Sequence, residues 1–214
     1  MGSSLIRQAQ VAVVGAGIVG LACALSAARR GLSVVLFERS PRAMGASVRN
    51  FGMVWPVGQA PGQIHQRALH TRDIWLDIAP KAGLWAQQVG SLHLAYHQDE
   101  RAVLEEFARE APALGYEVEG IGPEQVDDYS RAVNPQGLVG ALWSPLELCV
   151  DPRAAISKLP RWLQDEYGVV LRFGEPVQAI ETPMVHTSQG TWKVERTFVC
   201  SGQDFESLYP ETYA

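Results

Sequence analysis

Gly15, Gly17 and Gly20 stand at GxGxxG spacing, and Glu38 closes the stretch that follows them. Each residue type suits one task. Gly15 permits a tight turn, Gly17 lets backbone come close to a phosphate, and Gly20 lets a helix lie against a strand. Ala16 and Ile18, between them, bring their amides to the same point, where a helix N-terminus offers free N–H groups and partial positive charge to an anion. A carboxylate at Glu38 can accept hydrogen bonds from ribose hydroxyls and disfavours a 2′-phosphate. Together these residues describe a dinucleotide cradle.

The elements that must position them are legible around them. Val11 to Val14 is a short apolar, β-branched run and reads as a buried strand. An Ala/Leu-rich helical segment follows, ends in Arg29 and Arg30, and is stopped by Gly31. Ser33 to Phe37 forms a second strand with Glu38 at its end. This is a βαβ unit. A competing reading takes the uncharged stretch from Val11 to Ala28, with Arg7 ahead of it, as a signal peptide or membrane helix. The glycine register and the strand ending in Glu38 argue against it.

Composition bounds the rest. A chain of 214 residues makes one large domain or two small ones, and 47% hydrophobic with 19% charged residues builds a core. The net charge of −5, without runs of Lys or Arg, argues against nucleic acid or an anionic membrane as main partner. Cys23, Cys149 and Cys200 lie far apart without metal-ligand spacing. They read as reduced thiols of a cytoplasmic protein.

Further along, Ser40 to Gly62 is a long Gly/Pro-punctuated connection, and loops of this length usually carry function. Periodicity predicts helices over Gln63 to Ile78, Glu100 to Leu114 and Pro123 to Tyr129. Asp151-Pro152 starts another, running to Tyr167 and stopped by Gly168. Strands are expected over Val89 to Tyr96, within Leu138 to Val150, and over Val169 to Phe173, Val177 to Ile180 and Phe198 to Cys200. A hairpin is expected around Gln189-Gly190. This order suggests a discontinuous nucleotide domain: residues 1–80 and 150–214 form it, and 81–149 form a mixed α+β insert.

Several of these segments resemble the FAD-dependent oxidoreductases of the D-amino-acid oxidase superfamily, the glycine and sarcosine oxidase group. The fingerprint at the N-terminus ends in Glu38. Gly45-Ala46-Ser47-Val48-Arg49-Asn50-Phe51-Gly52 resembles the family's loop beside flavin and pyrophosphate. Asp151-Pro152 resembles the start of the helix leading back into the nucleotide domain, Val177 the strand that meets adenine, and Val199-Cys200-Ser201-Gly202 the second glycine turn. The wording GMVWPVGQ after the loop resembles a subgroup associated with aminophosphonate catabolism.

The resemblance implies an α/β fold, a Rossmann-like FAD-binding domain interrupted by a substrate domain. It implies FAD held by Gly15, Ala16, Gly17, Ile18, Gly20, Glu38, Arg39, Ser47, Arg49, Asn50, Gly52, Val177, Ser201 and Gly202. It also implies oxidation of a small amine or amino acid, with hydride passing to flavin N5, imine hydrolysis, and oxygen or another electron acceptor completing the cycle. Family members are longer, so the substrate domain is expected to be incomplete at the C-terminus. Two other readings stand beside this one: an NAD-linked dehydrogenase, and a truncated, non-catalytic nucleotide-binding module.

No residue is singled out as catalytic acid or base. His65, Arg67, His70 and Arg72 do not share one helix face and read as a solvated surface. His93 and His97 have no carboxylate pattern near them, so no metal site is expected. Arg39 either lies over the adenine or points to solvent. Trp55 draws attention because it follows the flavin-type loop directly.

Overall fold

The computed structural model describes residues 6–213. In chain order the elements are β1 (Arg7–Gln8), β2 (Val11–Val14), α1 (Ile18–Ala28), β3 (Val34–Glu38), β4 (Met53–Val54), α2 (Gln63–Lys81), β5 (Ala86–Gln88) and β6 (Ser91–Ala95). They continue with α3 (Gln98–Glu110), β7 (Glu119–Ile121), α4 (Val126–Tyr129), β8 (Gly140–Ser144), β9 (Leu148–Val150), α5 (Pro152–Tyr167) and β10 (Val170–Phe173). The last are β11 (Val177–Glu181), β12 (Met184–Thr187), β13 (Gly190–Lys193), β14 (Arg196–Val199) and α6 (Pro210–Tyr213). The chain folds as two compact units. Of the described residues, 6–51, 82–84 and 151–213 form the first, and 52–81 with 85–150 the second. The sequence reading divides the chain at 80/81 and 149/150.

The first unit is built on a parallel sheet of order β10-β3-β2-β14. Its central strands are buried on both sides, which is why Val11–Val14 and Val34–Phe37 carry unbroken apolar residues instead of alternation. Side chains still divide by parity. Val13 faces α1, since a Cβ on the helical Gly20 would come within 3.3 Å of it. Ala12, Val35 and Phe37 face the other way, onto Val185, Trp192 and Val194 of a second sheet. That sheet has the order β1-β13-β12-β11. Phe37 meets Trp192 edge to face, with centroids 5.7 Å apart. Helices α1 and α5 pack on each other over the first sheet. Asp151 caps α5, its carboxylate accepting the Arg153 and Ala154 amides at 2.9 and 3.0 Å, and Gly168 ends the helix at φ +69°.

The second unit contains two three-stranded antiparallel sheets, β4-β9-β5 and β6-β8-β7. Each holds one of two consecutive strand pairs: β5 pairs with β9, and β6 with β8. The ladder is interrupted between the pairs Gln88↔Leu148 and Ser91↔Ser144. Helix α3 lies along β6, β7 and β8. Ile121, Val126, Leu138 and Ala141 form the core beside them.

Differences from the sequence reading are local. Helix α3 begins earlier than expected because the Glu100 carboxylate accepts the Tyr96 and His97 amides at 2.8 and 3.1 Å. Its last turn tightens to a 3₁₀ helix over Ala111–Leu114, closed by Gly115 at φ +86°. The Ser40 to Gly62 stretch is organised by short 3₁₀ turns, Ala46–Arg49 and Pro56–Gly58, and by β4. β1, β5 and β7 have two or three residues each, too few to show a period. Val11 to Ala28 folds as strand, turn and helix, which sets aside its reading as one continuous apolar helix. Among the described residues no helix is long and apolar enough to cross a membrane.

Candidate cofactor site

The glycine turn at the end of β2 is fixed by contacts that forbid side chains. Gly15 has φ +103°, and its N–H donates to the Phe37 carbonyl at 2.7 Å. A Cβ there would sit 2.4 Å from the Cys200 carbonyl oxygen. A Cβ on Gly20 would reach the Gly15 carbonyl oxygen at 1.8 Å. Gly17 differs: the atom within reach of its Cβ is the Ser47 hydroxyl at 3.1 Å. Gly15 and Gly20 therefore serve the turn, and Gly17 keeps open the approach to the N-terminus of α1.

Ser47 borders that approach. Its hydroxyl oxygen accepts the Ile18 N–H at 3.0 Å, standing in for the side-chain cap that Gly17 cannot supply. Ser47 lies on the 3₁₀ turn packed against α5, so the loop is seated against the βαβ unit. Arg49 and Asn50, at the end of this turn, are exposed. Ile18 and Val19 are 36% and 63% exposed, leaving the first turn of α1 uncovered.

Glu38 holds the turn with both carboxylate oxygens. One accepts the Ala16 N–H at 3.0 Å and the other the Ser40 N–H at 3.1 Å. Its own carbonyl accepts the Glu175 N–H at 3.1 Å, which seats the chain leading into β11 and Val177. The buried Glu175 carboxylate accepts the Thr187 hydroxyl at 2.6 Å and so ties this approach to β12. The second glycine turn follows β14. Cys200 N–H donates to the Val14 carbonyl at 2.7 Å, Gly202 has φ +67°, and the Ser201 hydroxyl is buried without a partner among the described residues. Arg39 forms an ion pair with Asp204.

Gly15, Ala16, Gly17, Ile18, Gly20, Glu38, Ser47, Ser201 and Gly202 thus gather where the parallel strands β2, β3 and β14 end, the usual ligand end of such sheets. Val177 is half-buried at the start of β11. Gly52 belongs to the second unit, with a carbonyl that accepts the Val150 N–H at 2.8 Å. Beneath the turn, the Cys200 and Cys23 sulfurs are 4.0 Å apart, and burial with the neighbouring thiol pushes Cys200 up to about 12. A thiol so disfavoured from ionising is inert at neutral pH.

In the second unit, His65 corrects the sequence reading. It is 2% exposed, not part of a solvated surface, because α2 turns it inward onto Tyr116 with ring centroids 4.1 Å apart. Arg72 pairs with its neighbour Asp73, while Arg67 and His70 are exposed. Burial lowers His65 below the usual imidazole range, Glu147 opposes that shift, and Arg72 adds to it. Burial also lowers His93, again against Glu147. Trp55 stacks on His93 with centroids 5.8 Å apart. Among the described residues no group of three His, Cys, Asp or Glu side chains could hold a metal ion.

The family model for FAD dependent oxidoreductases, DAO, matches residues 10–208. The chain belongs to this family. That membership selects FAD over NAD for the cradle. The anaerobic glycerol-3-phosphate dehydrogenase of Escherichia coli has a chain that is 28% identical over 149 residues, 68% of this chain and 27% of that one. Mouse mitochondrial sarcosine dehydrogenase is 25% identical over 210 residues, 86% of this chain and 23% of that protein. The crystal structure of glycine oxidase from Geobacillus kaustophilus superposes with a TM-score of 0.83 at 20% identity. It covers 97% of this chain and 59% of that one, a likeness of fold. The chain spans about a quarter of the length of these curated relatives.

The residues present suit FAD. Gly17 places no side chain before the N-terminus of α1, the first turn of α1 is uncovered, and Ser47 and Ser201 bring hydroxyls to the same strand ends. Ser47 and the α1 amides would face the pyrophosphate, and Glu38 the ribose.

Proposed function

We propose that the protein to which this chain belongs is a flavin-dependent oxidoreductase that dehydrogenates a small amine or amino acid, aminophosphonates included. The observation that carries the cofactor half of this reading is the Gly15–Gly20–Glu38 turn with Ser47 seated on it. Family membership and the similarity to sarcosine dehydrogenase support the amine half. When bound, FAD supplies the two-electron acceptor for oxidation of the carbon bearing nitrogen. The imine so formed hydrolyses in water, and oxygen or another acceptor closes the cycle.

The chain's own residues bind and orient. The α1 N-terminus and the Ser47 hydroxyl donate hydrogen bonds to the phosphates, and Glu38 accepts the ribose hydroxyls with its remaining lone pairs. Arg39, Arg49, Asn50 and Ser201 border the nucleotide, and Val177 meets the adenine through its backbone. The first compact unit serves the nucleotide, and the second serves the substrate. Three thiols without a metal pattern suit a cytoplasmic setting.

The test is a visible absorption spectrum of the purified chain before and after FAD is added. Flavin bands that survive gel filtration support the reading. Amines, amino acids and aminophosphonates are then screened for bleaching. A chain that stays colourless, while a longer form of the same protein turns yellow, supports the partial-module reading.

A further inference from the structure

Glu147 sits where the long strand pairs of the second unit are interrupted. Between the pairs Gln88↔Leu148 and Ser91↔Ser144, one arm carries Val89 and Gly90 and the other carries Pro145, Leu146 and Glu147. The extra residue makes this a bulge-like break, a device that re-aims a side chain. The Glu147 carbonyl accepts the Val89 and Gly90 amides, both at 3.1 Å, which locks the break. Its side chain is turned inward and is 1% exposed.

One Glu147 oxygen accepts the Val57 N–H at 3.1 Å. The other is buried without a partner among the described residues, as is His65 Nδ1. Glu147, His65, Tyr116, Glu117 and Ser144 border one space that leaves no room for a water molecule. A buried carboxylate held by a single loop amide is costly unless neighbouring groups answer its charge. The imidazoles that feel it are His65 on α2 and His93 on β6; burial holds both below the ordinary imidazole range, and Glu147 opposes that shift. The other charged and titratable neighbours are Arg72, acting on His65, Tyr116 against the His65 ring, and Glu117.

The turn held this way is the one that carries Trp55. The Trp55 ring lies over Gly58, where a Cβ would come within 2.3 Å of it. The Tyr116 hydroxyl donates to the Gln59 carbonyl at 2.6 Å. His93, under the indole, is held by the Ser91 hydroxyl at 3.1 Å from Nε2. Val57, Gly58 and Gln59 are thus each fixed by a different neighbour, and the indole remains 41% exposed. A half-exposed aromatic ring on an over-determined turn is a presented surface, not a core residue.

We propose that Glu147 is a positioning residue: with His65 and His93 it holds the Trp55–Gly58 turn so that the indole is presented to substrate. The substrate part of this statement rests on the amine-oxidation reading above. The cluster itself acts within the second unit.

Trp55 emission tests it, taken in the full chain as the difference between each protein and the same protein carrying Trp55→Phe. A protonated imidazole stacked on an indole quenches it, so emission should fall on acidification and His93→Gln should abolish the transition. Removing the Glu147 charge with Glu147→Gln lowers the His93 pKa, so the midpoint should move to lower pH. Glu147→Ala, which also releases the Val57 amide, should raise the acrylamide quenching constant of Trp55 about twofold. An unchanged midpoint in Glu147→Gln together with unchanged quenching in folded Glu147→Ala overturns the proposal. Should Glu147→Ala fail to fold, Glu147→Gln and His65→Gln, each checked by near-ultraviolet circular dichroism, carry the test. FAD retention by the unmodified chain is read separately. Its loss with the Trp55 signals intact would count against the flavin reading and leave the positioning role standing.

Discussion

The Ser47 hydroxyl oxygen lies 3.0 Å from the Ile18 amide nitrogen, so a loop residue twenty-nine positions away caps the helix that opens the nucleotide fingerprint. Loop and helix are therefore one device. Whatever binds at the α1 N-terminus meets Ser47 as well as the helix amides.

Ser47→Ala should weaken FAD binding roughly fivefold, the worth of one hydrogen bond of about 1 kcal/mol. Fluorescence titration of FAD quenching measures it. An unchanged affinity would mean that Ser47 caps the helix and nothing more.

The fingerprint glycines should separate by phenotype. Gly20→Ala drives a Cβ into the Gly15 carbonyl, a backbone atom that cannot step aside. It should cost about 3 kcal/mol or more, in the range of severe core strain. Gly17→Ala meets only a hydroxyl that can rotate away. It should fold normally and lose FAD affinity. Urea melts and FAD titrations on both variants distinguish the two roles.

Glu38→Ala removes acceptors from two backbone amides, Ala16 and Ser40. Hydrogen bonds to a charged acceptor contribute about 1.5–3 kcal/mol each when buried, and this half-exposed pair should lose about 2 kcal/mol together. The melting temperature should fall even in the absence of FAD. A variant as stable as the parent would show that the turn does not depend on this carboxylate.

Acid should loosen the second unit. His65 and His93 both lie below their ordinary value of 6.5 because burial resists their charging. Above that pH both are neutral whether folded or not. Below it the unfolded chain takes up protons that the folded unit refuses, so stability falls until the folded groups also protonate. Melting temperature should be flat from about pH 8 to 7 and decline from about pH 6.5 downward. His65→Phe should shallow that decline. An equal slope in the variant would assign the acid sensitivity elsewhere.

Cys200 should resist alkylation. With its thiol pushed up to about 12, the thiolate is scarce at pH 8. Iodoacetamide followed by peptide mapping should modify it slowest of the three cysteines, and urea should remove the protection. Rapid labelling in the native chain would refute the half-buried placement beside Cys23.

Much of this architecture was legible in the residues. The βαβ start declared itself because β2 and β3 are buried on both faces and glycines punctuate the turn. Asp151, Pro152 and Gly168 bounded α5 through capping chemistry that is local in sequence. What escaped depended on distant partners. The solvated reading of His65 failed because Tyr116, supplied by the turn after α3, draws that side of α2 inward. Glu147 carries no local pattern at all. Its meaning arises from the interruption of two strand pairs and from an amide ninety positions away. Ser47 was singled out for a ligand, but its bond to Ile18 could not be read without the fold.

Glu38 has a consequence for descent. The side chain proposed to read the ribose also pins the turn through Ala16 and Ser40. Nucleotide preference and architecture are written in one codon. A lineage drifting toward a phosphorylated ribose, by exchanging this carboxylate for a cation, would first release the loop that receives any nucleotide. Exchange of this carboxylate therefore calls for another residue to take over the two amides.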